Sequence, residues 1–377
     1  MNLGLRRLLV DLVNRALRRL DAKLVRVSAL EGPQTSGNWA SSKQGDFLWA
    51  LLSILITDKL AAILSAWRPE NALRVALVGD DRYFADNVHY FMDSGLRLTG
   101  VFEGSDSFLV QSRPLDALDP HEFDLVIVNC AEPGKELSLL AQLRENQALQ
   151  RSDLPVLRLA HLYRTVAQVV STLRRDAFHT ALSPSKLAVL AICTALAPPG
   201  TSIVEAGVFM GGGTIWMAKI REAFDPSTHL FALDTFEGLP APTTQDGSTP
   251  FVEGLMKQDI EQVRHFYRLH GVDHRITVVK GLVEETIGSV EGRMGQIGLA
   301  LLDMDQYSGT RAGLEAVLPR LAPRGYVVID DSSWEGVRRA IDEAVGKQPQ
   351  FRTITPVDSV DVLFRSDQRG LFSELSP

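Results

Sequence analysis

The sequence predicts an α/β protein whose larger part is an open, doubly wound, mostly parallel sheet. Short apolar runs alternate with helical patterns from about residue 200 onwards, a glycine-rich turn follows the first run, and acidic residues end four of the first five runs. The predicted strands of this sheet are 202–207, 229–234, 275–281, 297–303 and 326–331, followed by "FRTITPV" and "VDVLFRS" near the end.

A smaller α/β pattern precedes this sheet. Strand-like runs lie at 74–80, in "RLTGVFE", at 123–130 and in "LPVLRL", and amphipathic helices are predicted in "YFADNVHYFMDSG" and "GKELSLLAQLREN". Its first turn, "GDDRYF", lacks the G-x-G-x-x-G pattern of dinucleotide sites, which favours a structural or subunit-contact role. We therefore predict a helical N-terminal segment at 1–70, a small α/β accessory domain at 71–160 and the doubly wound domain at 161–377.

The composition is that of an ordinary soluble globular protein. Hydrophobic residues make up 45% of the 377 residues and charged residues 23%. A net charge of -7 argues against a general nucleic-acid binder, because phosphate backbones attract clustered positive charge. Cys130 and Cys193 each lie in an apolar run, so we expect two buried thiols, a reducing compartment and a cytoplasmic protein.

The N-terminal region is basic and amphipathic. Apolar residues recur at helical spacing through "MNLGLRRLLVDLVNRALRRLDAKLVR". The longest apolar stretch, "FLWALLSILIT" at 47–57, is about half the roughly 20 residues that a membrane span needs. Membrane contact is therefore the less favoured interpretation, and we expect packing against the protein itself or a second subunit.

Acidic residues mark the strand ends of the larger sheet. Glu205, Asp234 and Asp303 end or nearly end the first, second and fourth strands, and Asp330 and Asp331 end the fifth. In an open α/β sheet, ligands bind outside the carboxyl ends of the strands. Asp330 and Asp331 alone fit either a cation site or the cap of the next helix, but Asp303 on the neighbouring strand favours a cation.

The turn after Glu205 is rich in glycine. Gly207, Gly211 and Gly212 open a helix, where glycine lets the backbone turn tightly and a ligand approach closely. Asp234, at the end of the second strand, is placed to accept the ribose hydroxyls of a nucleoside. The missing G-K-[ST] argues against a triphosphate site.

Five motifs in this order and spacing carry a family resemblance: "VEAGVFMGGGT", "ALDTFEGLP", "VVKGLVEETI", "LALLDMDQYSGT" and "GYVVIDDS". Over roughly 165–365 the chain resembles the macrocin-type (TylF/MycF-like) sugar O-methyltransferases. These are class I S-adenosylmethionine enzymes built on a Rossmann-like methyltransferase sheet. The resemblance does not reach the first 160 residues.

The resemblance implies roles for particular residues. It implies that S-adenosylmethionine binds in a site formed by Glu205, Gly207, Gly211, Gly212, Asp234, Phe236 and Asp303. It also implies that Asp303, Asp330 and Asp331 bind Mg²⁺, beside which the hydroxyl of a small-molecule sugar or other polyhydroxy substrate would lie. Members of the family assemble, so the resemblance implies a homo-oligomer.

The general base is less well defined by the sequence. Family members place a histidine in the loop after the second strand, where this chain has "TTQDGSTPF", with Ser248 at the aligned position. Two histidines, His265 and His270, lie on the next predicted helix or just after it. Either histidine could act as the base, although a lone histidine on a helix is more often a surface residue, and Asp246, Asp305 or activation by the metal alone could serve instead. The candidate catalytic residues are therefore Asp303, Asp246 and Asp305.

The leading hypothesis is a Mg-dependent O-methyltransferase that moves a methyl group from S-adenosylmethionine to a sugar or polyhydroxy natural product. The alternative is a non-catalytic or regulatory protein that binds S-adenosylmethionine or its product on the same fold. A third hypothesis is a different acceptor, such as a catechol. The scarcity of aromatic residues in the predicted loops favours a sugar over a catechol.

Overall fold

The fold is given by a computed structural model. It describes residues 52, 55–64, 72–79, 96–103, 111–130, 132–150, 154–174, 176–346, 348 and 350–365. The predicted N-terminal amphipathic helix, the helix "YFADNVHYFMDSG" and most of the turn "GDDRYF" lie outside the described residues.

The smaller sheet has five strands in the order β3-β2-β1-β4-β5, and all its pairings are parallel. The strands are β1 (Leu73–Val78), β2 (Leu96–Phe102), β3 (Ser112–Arg113), β4 (Leu125–Val128) and β5 (Val156–Arg158). Helices α1 (Pro133–Glu145) and α2 (Gln147–Gln150) lie between β4 and β5. The predicted parallel α/β pattern is confirmed, whereas the domain boundaries at residues 70 and 160 stay predictions.

The larger sheet has seven strands in the order β11-β12-β10-β9-β6-β7-β8. They are β6 (Ser202–Ala206), β7 (Leu230–Asp234), β8 (Ile276–Lys280), β9 (Ile297–Leu302), β10 (Leu321–Asp330), β11 (Phe351–Val357) and β12 (Val360–Arg365). The strands from β6 to β10 pair in parallel, as predicted. The sequence did not indicate that β12 runs antiparallel to both neighbours, which follows from its tight turn after β11.

Helices cover both faces of this sheet. They are α3 (Leu159–Thr172), α4 (Pro184–Leu196), α5 (Gly212–Phe224), α6 (Ile260–Leu269), α7 (Val283–Met294), α8 (Tyr307–Val317) and α9 (Glu335–Val345). Short 3-10 turns occur at Leu115–Ala117, Pro120–Glu122, Asp273–Arg275 and Leu318–Arg320. Alternate residues of β6 belong to different hydrophobic clusters: Ile203 packs on one face and Val204 on the other. Burial on both faces explains why these strands are continuous apolar runs.

One hydrophobic core joins the two sheets. Val75 of β1, Val166 of α3 and Ile203 of β6 belong to the same buried cluster. The helix at 55–64, which begins in the last three residues of the apolar stretch at 47–57, adds the buried Ile56 and Leu60 to it. Among the described residues, no helix is long and apolar enough to cross a membrane.

Gly207 fixes the junction between β6 and the turn that follows it. Its φ is 86°, and a Cβ at this position would overlap the backbone carbonyl oxygen of Asp303. We expect Gly207→Ala to lower the free energy of unfolding by about 3 kcal/mol or more, because both the backbone angle and the contact oppose a side chain. Urea denaturation followed by circular dichroism measures this change.

Gly288 in α7 is the matched control for Gly207→Ala. Nothing lies within 4 Å of a Cβ built there. Gly288→Ala should therefore raise the unfolding free energy by roughly 0.5–1 kcal/mol, the helix preference of alanine over glycine. Equal effects of the two substitutions would contradict the packing described at Gly207.

Candidate active site

A cavity of about 200 Å³ lies at the carboxyl edge of the larger sheet. Gly207, Asp234, Asp303, Asp330 and Asp331 line it. These residues follow or end β6, β7, β9 and β10, which are adjacent in the sheet. Successive strands are added on one side of β6 as β7 and β8 and on its other side as β9 and β10, and the cavity therefore lies at the switch point where open α/β sheets bind ligands.

The glycine turn forms one wall of this cavity. Gly211 has a φ of 83° at the start of α5, and a Cβ there would lie 2.7 Å from the ring of Tyr267. Gly212 packs on the backbone carbonyl of His179. Neither glycine lines the cavity, so both support the turn from behind while Gly207 and Phe209 face the open space.

Asp234 connects the turns after β6 and β7. Its Oδ2 accepts hydrogen bonds from the backbone amides of Val208 (2.7 Å) and Phe209 (3.0 Å), and its Oδ1 accepts one from Phe236 (2.7 Å). Asp234 still lines the cavity, and a carboxylate oxygen has more than one lone pair. It therefore retains the capacity to accept ribose hydroxyls. Phe236 is buried behind it, with a φ of 55°.

Glu205 lies beneath the glycine turn and does not line the cavity. Its carboxyl group contacts the hydroxyl of Thr214, which in turn lies 2.8 Å from the hydroxyl of Tyr267. Burial raises the pKa of Glu205 to about 8. The structure thus gives Glu205 a supporting position under the start of α5.

Three carboxylates that line the same cavity converge on one another. Oxygen atoms of Asp303, Asp305 and Asp331 all lie within 4.8 Å of one another. Desolvation and the neighbouring charge of Asp330 raise the pKa of Asp303 well above its usual range. Desolvation and a hydrogen bond with Asp331 raise the pKa of Asp305 to about 8. This cluster fits a divalent cation, because it offers only oxygen ligands and its mutual repulsion falls when a cation is present.

Asp330 is held differently from the other three. Its Oδ1 lies 2.6 Å from Nζ of Lys186 and accepts a hydrogen bond from the backbone amide of Asp331 at 2.8 Å. Lys186 Nζ is also 3.8 Å from Asp331. Burial alone would lower the pKa of Lys186, but Asp330 and Asp331 outweigh it and raise the pKa. The sequence interpretation did not include Lys186, and its only signal was a lysine in the first turn of an apolar helix.

Backbone strain is concentrated around the cavity. Phe209, Met256, Asp305 and Asp331 line it, and their φ values are 50°, 65°, 61° and 52°. Non-glycine residues seldom adopt such angles, and they persist where the surrounding structure enforces them, often at functional sites. The strain therefore supports the assignment of this cavity as the active site.

Asp246 is buried and does not line the cavity. Its Oδ1 accepts a hydrogen bond from the backbone amide of Tyr307 at 2.7 Å, and its Oδ2 accepts two from the amide (2.6 Å) and hydroxyl (2.8 Å) of Thr243. Asp246 therefore attaches the loop after β7 to the start of α8. In the same region Gln306 donates to the carbonyl of Pro240 at 2.9 Å.

We expect Asp246→Ala to lower the free energy of unfolding by about 1–3 kcal/mol, because buried amide donors lose their acceptor. Asp259→Ala is the control, since Asp259 caps α6 through a single bond to the amide of Glu261 (2.9 Å) and should cost about 1 kcal/mol. Urea denaturation measures both. An Asp246→Ala protein of unchanged stability that has lost turnover would contradict this structural role.

The histidines and Ser248 lie away from the cavity. His270 is buried, with Nδ1 3.0 Å from the carbonyl oxygen of Phe266, and burial lowers its pKa. His265 lies on α6 and Ser248 is exposed. In the part of the chain that the structure describes, the cavity has no histidine in its lining.

An apolar rim completes the site. Phe251 and Met256 line the cavity, and Phe251 packs edge-to-face on Trp334 with ring centroids 5.3 Å apart. Val252 next to them is 58% exposed. The cavity lining thus includes both acidic and apolar side chains.

Comparisons with known proteins found a matching family and similar sequences. A family model described as macrocin-O-methyltransferase (TylF) matches residues 188–366. The chain is 31% identical over 200 residues to the 8-demethyl-8-(2,3-dimethoxy-alpha-L-rhamnosyl)-tetracenomycin-C 4'-O-methyltransferase of Streptomyces olivaceus, covering 50% of this chain and 75% of that protein. It is 26% identical over 202 residues to the mycinamicin III 3''-O-methyltransferase of Micromonospora griseorubida, covering 50% and 78%.

A solved structure described as the O-methyltransferase NovP is also similar to this chain. The sequence identity is 21% and the TM-score is 0.44. The match covers 50% of this chain and 82% of that chain.

Proposed function

The chain belongs to the macrocin-O-methyltransferase (TylF) family of S-adenosylmethionine-dependent O-methyltransferases. We propose that it methylates a hydroxyl of a sugar or other polyhydroxy natural product and that this reaction requires Mg²⁺. The main support for this proposal is that one cavity is lined both by Asp234 and by the cluster of Asp303, Asp305 and Asp331. The two relatives described above are named for methylating a rhamnosyl tetracenomycin and mycinamicin III.

The glycine turn and Asp234 would hold the cofactor. When bound there, S-adenosylmethionine supplies an electrophilic methyl group. Gly207 leaves the turn open to it, and Asp234 would accept hydrogen bonds from its ribose hydroxyls. Four residues outside the cavity lining would keep the two turns in place: Glu205, Gly211, Gly212 and Phe236.

Asp303, Asp330 and Asp331 would hold the magnesium ion. When bound, it lowers the pKa of a neighbouring acceptor hydroxyl. Asp303 and Asp331 already face each other in the cluster, and Asp330 adjoins Asp331 in the chain. The ligands would thus come from the ends of two neighbouring parallel strands, which fixes the acceptor oxygen relative to the cofactor site.

Asp305 is the base that this site supports best. A base must reach the acceptor in the cavity, whereas Asp246 is buried outside the cavity lining and its oxygens accept hydrogen bonds from Tyr307 and Thr243. Asp305 lines the cavity beside Asp303 and Asp331. Asp305 would accept the proton of the acceptor hydroxyl, while S-adenosylmethionine would supply the methyl group to that oxygen with cleavage of its sulfur–carbon bond and would leave as S-adenosylhomocysteine.

The cellular context belongs to the same proposal. Cys130 and Cys193 are both buried free thiols, which supports a reducing compartment such as the cytoplasm. A homo-oligomer would cover the apolar face expected in the N-terminal segment. The site is acidic rather than basic, which supports a small-molecule acceptor over a nucleic acid.

Methyl transfer with a labelled cofactor tests this function. The protein is incubated with isotopically labelled S-adenosylmethionine and a panel of glycosylated natural products plus a catechol, with Mg²⁺ or with a chelator. Mass spectrometry should detect a labelled methyl on a sugar hydroxyl only when Mg²⁺ is present. Transfer that survives the chelator would contradict the metal, and labelling of the catechol alone would contradict the acceptor class.

A further inference from the structure

Lys186 places a positive charge inside the acidic cluster. It enters from the first turn of α4, outside the sheet that carries the carboxylates. Its Nζ is 2.6 Å from Asp330 and 3.8 Å from Asp331, and Asp303 also attracts it. The side chain is 21% exposed and lines the same cavity as the carboxylates. Lys186 is therefore an internal counter-charge of the proposed metal site.

The helix that carries Lys186 cannot withdraw from the site without disrupting the core. Ser183 caps α4 by accepting a hydrogen bond from the backbone amide of Lys186 at 3.3 Å. Leu187 and Leu190 are buried in the core shared with the larger sheet. The backbone position is thus fixed, and only the flexible stem of the lysine allows its ammonium group to move.

Asp330 has a strong requirement for a counter-charge. Its side chain is 5% exposed, and a buried carboxylate without a partner costs much more free energy than a paired one. Lys186 meets this requirement through a single close ion pair. Any cation that takes Asp330 as a ligand must share this carboxylate with the ammonium group or displace it.

Building on the magnesium site proposed above, we propose that Lys186 is a positioning residue that competes with the divalent cation for Asp330 and so sets the affinity of the site. The ammonium group keeps Asp330 paired and oriented next to Asp331, and it repels a divalent cation that approaches the same cluster. The carboxylates alone would bind the cation more tightly than they do with Lys186 present. Magnesium binding is therefore kept weaker and more readily reversible.

Lys186→Met tests this competition. Isothermal titration calorimetry with MgCl₂ should show a dissociation constant about tenfold lower than that of the unchanged protein, because the repulsion between a unit charge and a divalent ion at a few ångström is lost. Lys186→Gln, which keeps a hydrogen-bond donor for Asp330, should shift the constant in the same direction. Lys257→Met removes the same charge from an exposed ion pair with Glu237 and should leave it within twofold.

Thermal unfolding gives a second measurement that does not depend on turnover. In a chelator, Lys186→Met should unfold at a lower temperature than the unchanged protein, because Asp330 has lost its partner. Saturating MgCl₂ should close this difference, because tighter binding adds more stability to the folded state.

The outcomes separate this inference from the function on which it rests. If the unchanged protein binds magnesium and Lys186→Met and Lys186→Gln bind it equally or more weakly, the role of Lys186 is overturned and the metal site is not. Absence of magnesium binding in the unchanged protein and both Lys186 variants would overturn the proposed metal site, and with it this inference.

Discussion

Asp305→Asn should lower kcat for methyl transfer by about 10²–10⁴-fold, the usual contribution of a general base. Asparagine keeps the size of the side chain but cannot accept the proton from the acceptor hydroxyl. Asp305 lies in the cluster without being one of the three proposed ligands, so the affinity for Mg²⁺ should fall by about tenfold through the loss of a neighbouring charge, and that for S-adenosylmethionine should change only a few-fold. Steady-state kinetics and calorimetry measure the two effects separately.

The control for Asp305→Asn is Asp358→Asn. Asp358 is exposed in the turn between β11 and β12 and does not line the cavity, so its substitution removes the same charge outside the site and should leave kcat unchanged. An Asp305→Asn enzyme with normal kcat would exclude Asp305 as the base. Loss of magnesium binding in the same variant would instead make Asp305 a metal ligand.

Asp303→Asn should abolish detectable turnover and weaken Mg²⁺ binding by at least about a hundredfold. The residue is central to the cluster, and the loss of one carboxylate from a site of hard oxygen ligands removes both a ligand and a charge. S-adenosylmethionine should still bind within a few-fold, because the glycine turn and Asp234 are unchanged. Calorimetric titration with each ligand in turn measures both affinities.

The same variant should have a characteristic stability in a chelator. The folded state raises the pKa of Asp303 above its unfolded value, so the stability of the fold decreases as pH rises from the unfolded pKa to the folded pKa. Asp303→Asn removes this penalty and should unfold at a higher temperature than the unchanged protein at pH 8 without Mg²⁺. A variant that is less stable there, or that keeps its magnesium affinity, would contradict the role given to Asp303.

The parallel core of the larger sheet was predictable because its pattern is local. Strands buried on both faces are continuous apolar runs, and the alternation with helical periods in β6 to β10 is typical of parallel crossovers. The direction of β12 was not predictable from its own residues, since an apolar strand reads the same in either direction. The shared core of the two sheets also depends on α3, whose buried residues belong to one cluster with strand residues of both sheets, which no single segment indicates.

The site residues likewise differ in whether the local sequence could place them. Asp234, Asp303, Asp330 and Asp331 could be placed together because parallel strands bring their carboxyl ends to one edge. Lys186 could not be placed there, since it comes from a helix that precedes the sheet, and its orientation depends on how α4 packs.

Asp246 shows a second limit of sequence reasoning. Its position in a polar loop is equally typical of a catalytic acid and of a carboxylate that binds backbone amides. Its hydrogen bonds to Thr243 and Tyr307 join segments far apart in sequence. Only the folded chain shows that both oxygens are engaged.

The proposed function requires a divalent cation beside the cofactor at the carboxyl edge of the larger sheet. Anomalous diffraction from crystals grown with Mn²⁺ and S-adenosylhomocysteine tests this requirement. We predict one anomalous peak bounded by the carboxylates of Asp303, Asp330 and Asp331, within the cavity that holds the nucleoside. A crystal that contains the nucleoside but has no peak there, or a peak only elsewhere, would contradict the account.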